Sequence, residues 1–211
     1  MSRADYAQVE AAAQTVGLQV MGGLHEGSDT ILLLGPDEPE FWSVFQASSE
    51  LKDNAPDPLD RWSKRVIGQL ATTFGGTGIY PSDGPPYPPF LQWASDSGRC
   101  WSSPVGLLVH DKAGLFASFR GALCLPEQIE LPSPPKQSPC SYCMGPCITA
   151  CPVMAFASGS YDVAACKAHI ETDAGADCYQ GCKVRRACPV SQRYGRLDAQ
   201  SEFHMRAFHP K

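Results

Sequence analysis

Hydrophobic positions recur along this chain in blocks whose period changes from one block to the next. Val9, Ala13 and Val16 share one face of the Ala-rich opening ADYAQVEAAAQTVGLQV, which predicts a helix stopped by Gly17. DTILLLGP is a short unbroken apolar run ending in Gly-Pro, the pattern of a buried strand. In DEPEFWSVFQASSEL the acidic residues come first, and Phe41, Val44 and Phe45 follow at helical spacing. DPLDRWSKRVIGQLATTF predicts a further helix, with Asp57 as N-cap, Pro58 at the first position and Gly75-Gly76 as the stop. Residues 75–90, GGTGIYPSDGPPYPPF, read as a long Gly/Pro loop, a long connection or a cap over a ligand. Gly76-Thr77-Gly78 lacks the third glycine and the following helix of a dinucleotide fingerprint. Two apolar runs then flank HDKAG, which predicts a hairpin. The expected fold class is α+β, with helices packed on a largely antiparallel sheet.

The segment LPSPPKQSPC excludes helix and central strand and reads as a linker, so the chain is expected to divide into residues 1–135 and 136–211. Charge changes at the same place. Residues 1–139 hold nine basic and sixteen acidic side chains, whereas 140–211 hold eight and six. The net charge of −5 offers no general affinity for nucleic acid or anionic membrane. No stretch approaches the roughly 20 apolar residues of a membrane span. MSRADYAQVEAAA carries no apolar signal-peptide core, so the expected compartment is the cytoplasm, where structural disulfides are rare. Ten cysteines in such a chain call for a metal or a redox role.

Cys100 and Cys124 stand apart and read as core packing. The other eight crowd into the last third. CSYCMGPCITACP spaces Cys140, Cys143, Cys147 and Cys151 by two, three and three residues and ends in Cys-Pro. Cys166, Cys178, Cys182 and Cys188 follow, again ending in Cys-Pro. Structural zinc favours two Cys-x2-Cys knuckles separated by a longer loop, and this crowding departs from that. A cubane iron–sulfur cluster accepts thiolates from a loop wrapped around it, with the bacterial signature C-x2-C-x2-C-x3-C-P. Eight cysteines with two Cys-Pro endings match two such cubes. Lys183, Arg185 and Arg186 are expected either to raise cluster potential or to form a solvated or docking face. In the tail EFHMRAFHPK, His204 and His209 read as a docked or disordered end ahead of a metal site.

Residues 138–192 resemble the two-cluster bacterial ferredoxin module. That resemblance implies Cys140, Cys143, Cys147 and Cys188 on one 4Fe–4S cluster, and Cys151, Cys166, Cys178 and Cys182 on the other. YDVAACKAHIET and CYQGCKVRRACPV are similar to the module of epoxyqueuosine reductases and corrinoid reductive dehalogenases, where a lone cysteine on a helix precedes the second group and electrons pass to a cobalamin.

Residues 28–135 resemble the CblC-type cobalamin-processing proteins, which implies a nitroreductase-like domain. The nearest motif is HDKAGLFASFRG, in which His110, Gly114, Arg120 and Gly121 match, while Asp111, Leu115, Phe116 and Ala117 depart from it. The resemblance implies His110, Gly114 and Arg120 as contacts to a corrinoid or a thiol. Against it stand a turn histidine at 110 and a structural ion pair at Arg120. Phe41, Trp42, Trp62, Tyr80, Tyr87, Phe90, Trp93 and Trp101 either wall a macrocycle or fill the core. Two functions follow. One is a redox protein, a candidate oxidoreductase, that takes electrons from an external donor (ferredoxin, flavodoxin or reductase) and passes them through its clusters to cobalamin. The other is a ferredoxin-like carrier whose first domain only docks a partner. Flavin in place of corrinoid is a third expectation, and the first domain lacks an evident Arg/Lys cluster for its phosphate.

Overall fold

The structure, a computed structural model, describes residues 4–157 and 159–210. The fold is mixed α+β, with a small antiparallel sheet and packed helices. Two compact units form: the first holds the chain up to Arg99 together with Ser118–Lys136, the second Cys100–Ala117 and the chain from Gln137 onward. The division at Lys136 falls in the Pro-rich linker, and the segment 100–117 belongs to the second unit although it precedes that linker.

In the first unit, α1 (Tyr6–Gln14) is started by a capping box, Asp5 accepting from the Gln8 N–H and Gln8 answering to the Asp5 N–H. Gly17 ends it at φ +76°. Strand β1 (Leu18–Glu26) follows, and no element was expected there. Its first half is buried without alternation, and a bulge between Val20 and Gly22 breaks the register, so it shows no period of two. Strand β2 is Asp29–Pro36, the expected DTILLLGP. Helices α2 (Glu40–Ala47), α3 (Ser49–Lys52) and α4 (Pro58–Phe74) come next. Asp57 does not cap α4 with its side chain; it sits at φ +52° and contributes only its carbonyl, which accepts from the Arg61 N–H.

The Gly/Pro loop yields a short edge strand, β3 (Thr77–Ile79), before α5 (Phe90–Asp96). In the second unit β4 (Cys100–Ser102) pairs with β5 (Leu108–His110). Strand β6 (Gly121–Leu125) completes the first unit's sheet, whose order β1-β2-β6-β3 is antiparallel throughout. The expected hairpin across HDKAG is therefore corrected. His110 and Gly114 close only a single bridge, and the two flanking runs find other partners: β5 takes β4, and β6 takes β2 and β3. Local turn chemistry was right, but burial of the apolar runs elsewhere decided the pairing.

The core of the first unit lies between sheet and helices. Ile31 to Leu34 of β2 are wholly buried, and α4 presents Leu59, Trp62, Val66, Ile67 and Leu70 as one stripe. Phe41, Phe45 and Trp62 pack ring against ring, at 5.4 Å for Phe41–Trp62 and 6.0 Å for Phe45–Trp62. Gly121 lets α4 close on β6, since a Cβ there would stand 2.7 Å from Ile67 Cδ1. Between α3 and α4 Arg65 grips the almost buried Glu50 with two hydrogen bonds. The Arg65 bond holds the Glu50 carboxyl at about 2, below its ordinary 4.5.

The second unit is built of short pieces: a 3-10 turn Pro146–Thr149, α6 (Val163–Ile170), a 3-10 segment Asp173–Gln180, α7 (Lys183–Arg186), α8 (Pro189–Arg193) and α9 (Asp198–Phe208). The C-terminal tail is thus helical and docked. Met205 and Phe208 pack on Ile170 and Tyr179, and His209 pairs with Glu171 at 3.1 Å. Among the described residues no helix is long and apolar enough to cross a membrane.

Two tests follow. Trp62→Ala removes the ring on which Phe41 and Phe45 close and is expected to cost about 3–5 kcal/mol in urea unfolding. Glu50 ionises more easily folded than unfolded, so its contribution is present above pH 4.5 and is lost as pH falls toward 2. The melting temperature of the parent chain should therefore fall more steeply than that of Glu50→Gln over this interval.

Candidate thiol sites

Cys140 opens a tight loop. The Cys143 N–H donates to the Cys140 carbonyl at 3.2 Å, and Gly145, at φ +69°, turns its N–H onto Cys143 Sγ at 3.4 Å. Cys147 then rides on the 3-10 turn. Cys188 arrives from the far side of the sequence as the residue before Pro189 in α8. Cys140, Cys143, Cys147 and Cys188 all line one cavity of about 460 Å³. Val109 and Leu115 close it from within, and Arg193 is the one charged side chain along its wall among the described residues. Burial pushes the Cys140 thiol up; the Ser138 hydroxyl pulls it back, and Cys143 and Cys188 push it further. Cys147 is likewise raised, first by burial and then by Cys188 and Cys140.

The remaining four cysteines form a second set. Cys151 receives the Ala155 N–H at 3.3 Å. Cys166 sits on α6, Cys178 on the 3-10 segment and Cys182 just ahead of α7. Burial raises Cys166, the Tyr161 hydroxyl that donates to it lowers it, and Cys182 and Cys151 raise it again. Cys178 is raised by burial, eased by Lys183, and raised by Cys182 and Cys166. Every cysteine neighbour felt by these thiols belongs to its own set of four. Val105, Val109, Leu115 and Val184 form an apolar nucleus on which thiols of both sets pack. All ten cysteines are free, and among the described residues no three His, Cys, Asp or Glu side chains close on a point as they would around a single ion.

From Gln137 to Tyr161 no residue carries charge. Two large hydrophobic side chains of that loop stand in solvent, Tyr142 at 86% and Met144 at 97% exposure. Sequence reasoning missed Tyr161 and Ser138 as thiol partners. Ser138 lies two residues before Cys140, a common turn spacing, whereas nothing in the pattern marks Tyr161.

Of the residues implied for a corrinoid or thiol contact, His110 and Gly114 bridge each other within the second unit, and Arg120 belongs to the first. His110 is 1% exposed, and its Nδ1 accepts the N–H groups of Lys112 and Ala113 at 3.1 Å each. An acceptor nitrogen has no proton for Asp111, so their 3.2 Å approach is not a hydrogen bond. Gly114, at φ +58°, lies so close to Ser191 that a Cβ would stand 2.4 Å from its backbone nitrogen; the Leu115 N–H donates to Ser191 Oγ at 2.8 Å. Arg120 belongs to the first unit. Its Nη2 donates to Ser118 Oγ at 3.2 Å and its Nη1 stands 4.0 Å from Asp60, while its buried Nε has no partner among the described residues. Burial lowers the Arg120 pKa, with Asp60 opposing. Of the eight aromatic residues considered as a macrocycle wall, Phe41, Trp42, Trp62, Phe90 and Trp93 are buried, and Tyr87 is exposed.

Comparison with family models, curated proteins and solved structures finds no match.

The Gly114 contact is open to test. Gly114→Ala should lower the melting temperature by clearly more than Gly106→Ala. Both pay roughly 1–2 kcal/mol for a side chain at positive φ, but only Gly114 meets a backbone, whereas Gly106 faces open space.

Proposed function

We propose that this chain is an iron–sulfur redox protein that relays single electrons. Cys140, Cys143, Cys147 and Cys188 hold one 4Fe–4S cluster, and Cys151, Cys166, Cys178 and Cys182 hold a second. The observation that carries this reading is the cavity of about 460 Å³ lined by four thiols from two distant stretches of sequence. The donor set fits the group. A tetrahedral ion draws its sulfurs to about 2.3 Å of one centre, whereas a cube spreads four thiolates over four corners and needs room between them. When bound, such clusters supply reversible one-electron transfer. The chain's own residues do the rest. Gly145 and Ala155 aim N–H groups at Cys143 and Cys151, which favours the more negative state. Val109, Leu115 and Val184 keep water from the inner side.

A ferredoxin-like module and a nitroreductase-like first domain remain part of this proposal, on the resemblance of their motifs. So does a reducing, cytoplasmic setting. The acceptor to try first is a corrinoid, on the same resemblance. Neither unit by itself gathers His110, Gly114 and Arg120 into one cradle, so no step is derived through it.

Anaerobic purification followed by iron and sulfide analysis is expected to give about eight of each per chain. Cys178→Ser should reduce this toward four. Zinc without sulfide would overturn the reading. A hydroxocobalamin titration of the loaded protein under dithionite then separates a corrinoid reductase, which shifts the cobalamin spectrum, from a ferredoxin-like carrier, which does not.

A further inference from the structure

The cavity that gathers Cys140, Cys143, Cys147 and Cys188 has one wall without a cysteine. Ser103, Pro104, Val109 and Leu115 form it, from the segment that precedes the linker, and they belong to the same unit as the four thiols. Besides the thiols, three side chains with O–H or N–H groups line the cavity among the described residues: Ser103, Tyr142 and Arg193. Tyr142 and Arg193 stand in solvent, whereas Ser103 is 6% exposed. Ser103 opens the turn between β4 and β5, and its backbone is fully engaged. Its N–H donates to the Leu107 carbonyl at 2.9 Å, and its carbonyl accepts the Gly106 N–H at 2.9 Å. Its hydroxyl is not engaged. Ser103 Oγ is closed off from solvent and has no hydrogen-bond partner among the described residues.

A buried hydroxyl without a partner is costly, and folded interiors seldom keep one without a reason. Water answers it poorly here. A buried water needs about two to four polar partners, and the rest of this wall is Pro104, Val109 and Leu115. A thiolate-bound cluster offers what the wall lacks, sulfur acceptors that carry negative charge. We infer that Ser103 donates a hydrogen bond to sulfur of the cluster held by Cys140, Cys143, Cys147 and Cys188, and thereby raises the potential of that cluster. This inference rests on the iron–sulfur reading. Reduction adds one electron, supplied by the external donor, and one negative charge. The hydroxyl keeps its proton, and its bond to sulfur strengthens as the charge grows, so the reduced state gains more than the oxidised one. The first site thus includes a turn that lies well before the cysteine-rich stretch in sequence.

The test is a redox titration of the anaerobically loaded full chain with dithionite, followed by electron paramagnetic resonance. Cys178→Ser leaves the first set intact and so identifies the midpoint that belongs to it. Ser103→Ala should lower that midpoint and leave the other in place. Ser103→Thr and Ser103→Val share one shape and differ in the hydroxyl. The first should hold the parental midpoint and the second should match Ser103→Ala, and this pair decides should Ser103→Ala load poorly. Ser102→Ala, at the exposed neighbour, should move neither midpoint. Proton double resonance on the reduced chain should lose one coupling in Ser103→Val and keep it in Ser103→Thr, a difference that a merely structural serine does not produce. An unmoved midpoint in Ser103→Ala, equal shifts of both midpoints, or Ser103→Thr behaving as Ser103→Val would each overturn the inference while leaving the clusters. A chain that takes up no iron and sulfide overturns the iron–sulfur reading itself, and the analysis made before titration shows it.

Discussion

Four thiols crowded into one apolar pocket cannot all ionise without a cation among them. Burial disfavours the thiolate, and each neighbouring thiolate disfavours it again. Both effects push Cys140, Cys147, Cys166 and Cys178 up, burial first in every case. A metal centre reverses that balance, because it replaces the protons and spreads the charge. The second unit is organised around this constraint. Its helices are short, its apolar nucleus is small, and cysteines pack directly on that nucleus. Under the proposed iron–sulfur reading, such a unit would gain much of its cohesion from what its thiols hold, as small metallo-domains do.

The first unit follows ordinary packing rules and was correspondingly legible. DTILLLGP and the helix from Pro58 to Phe74 stand where the pattern placed them, because an unbroken apolar run and a three-to-four stripe each admit one burial solution. Strand β1 escaped notice because its burial does not alternate and the bulge between Val20 and Gly22 breaks the period. The hairpin across HDKAG failed for a different reason. A turn signal is local, but the choice of strand partner is not, and Cys100–Ser102 and Asp29–Pro36 competed successfully for the two runs.

The thiol sets lie between these cases. Their division into two fours was implied by the resemblance to the two-cluster ferredoxin module. The side chains around the sets were not. Tyr161 reaches Cys166 through a short loop and the first turn of a helix, Ser191 meets Leu115 across 76 residues, and Arg185 differs from Lys183 and Arg186 only in the direction it faces. Adjacent basic residues look alike in a sequence. Only a fold that gives Asp177 to two of them and a carbonyl to the third makes them different.

The same contrast runs through the whole second unit. Its first cysteine loop is uncharged and exposes Tyr142 and Met144, whereas the stretch from Asp162 onward carries both cations and carboxylates. An uncharged loop neither attracts nor repels a charged donor at long range, so its encounters depend on contact and not on steering. The cations beside Cys182 are met within the unit: Asp177 pairs with Lys183 and Arg186, and the Leu115 carbonyl accepts from Arg185.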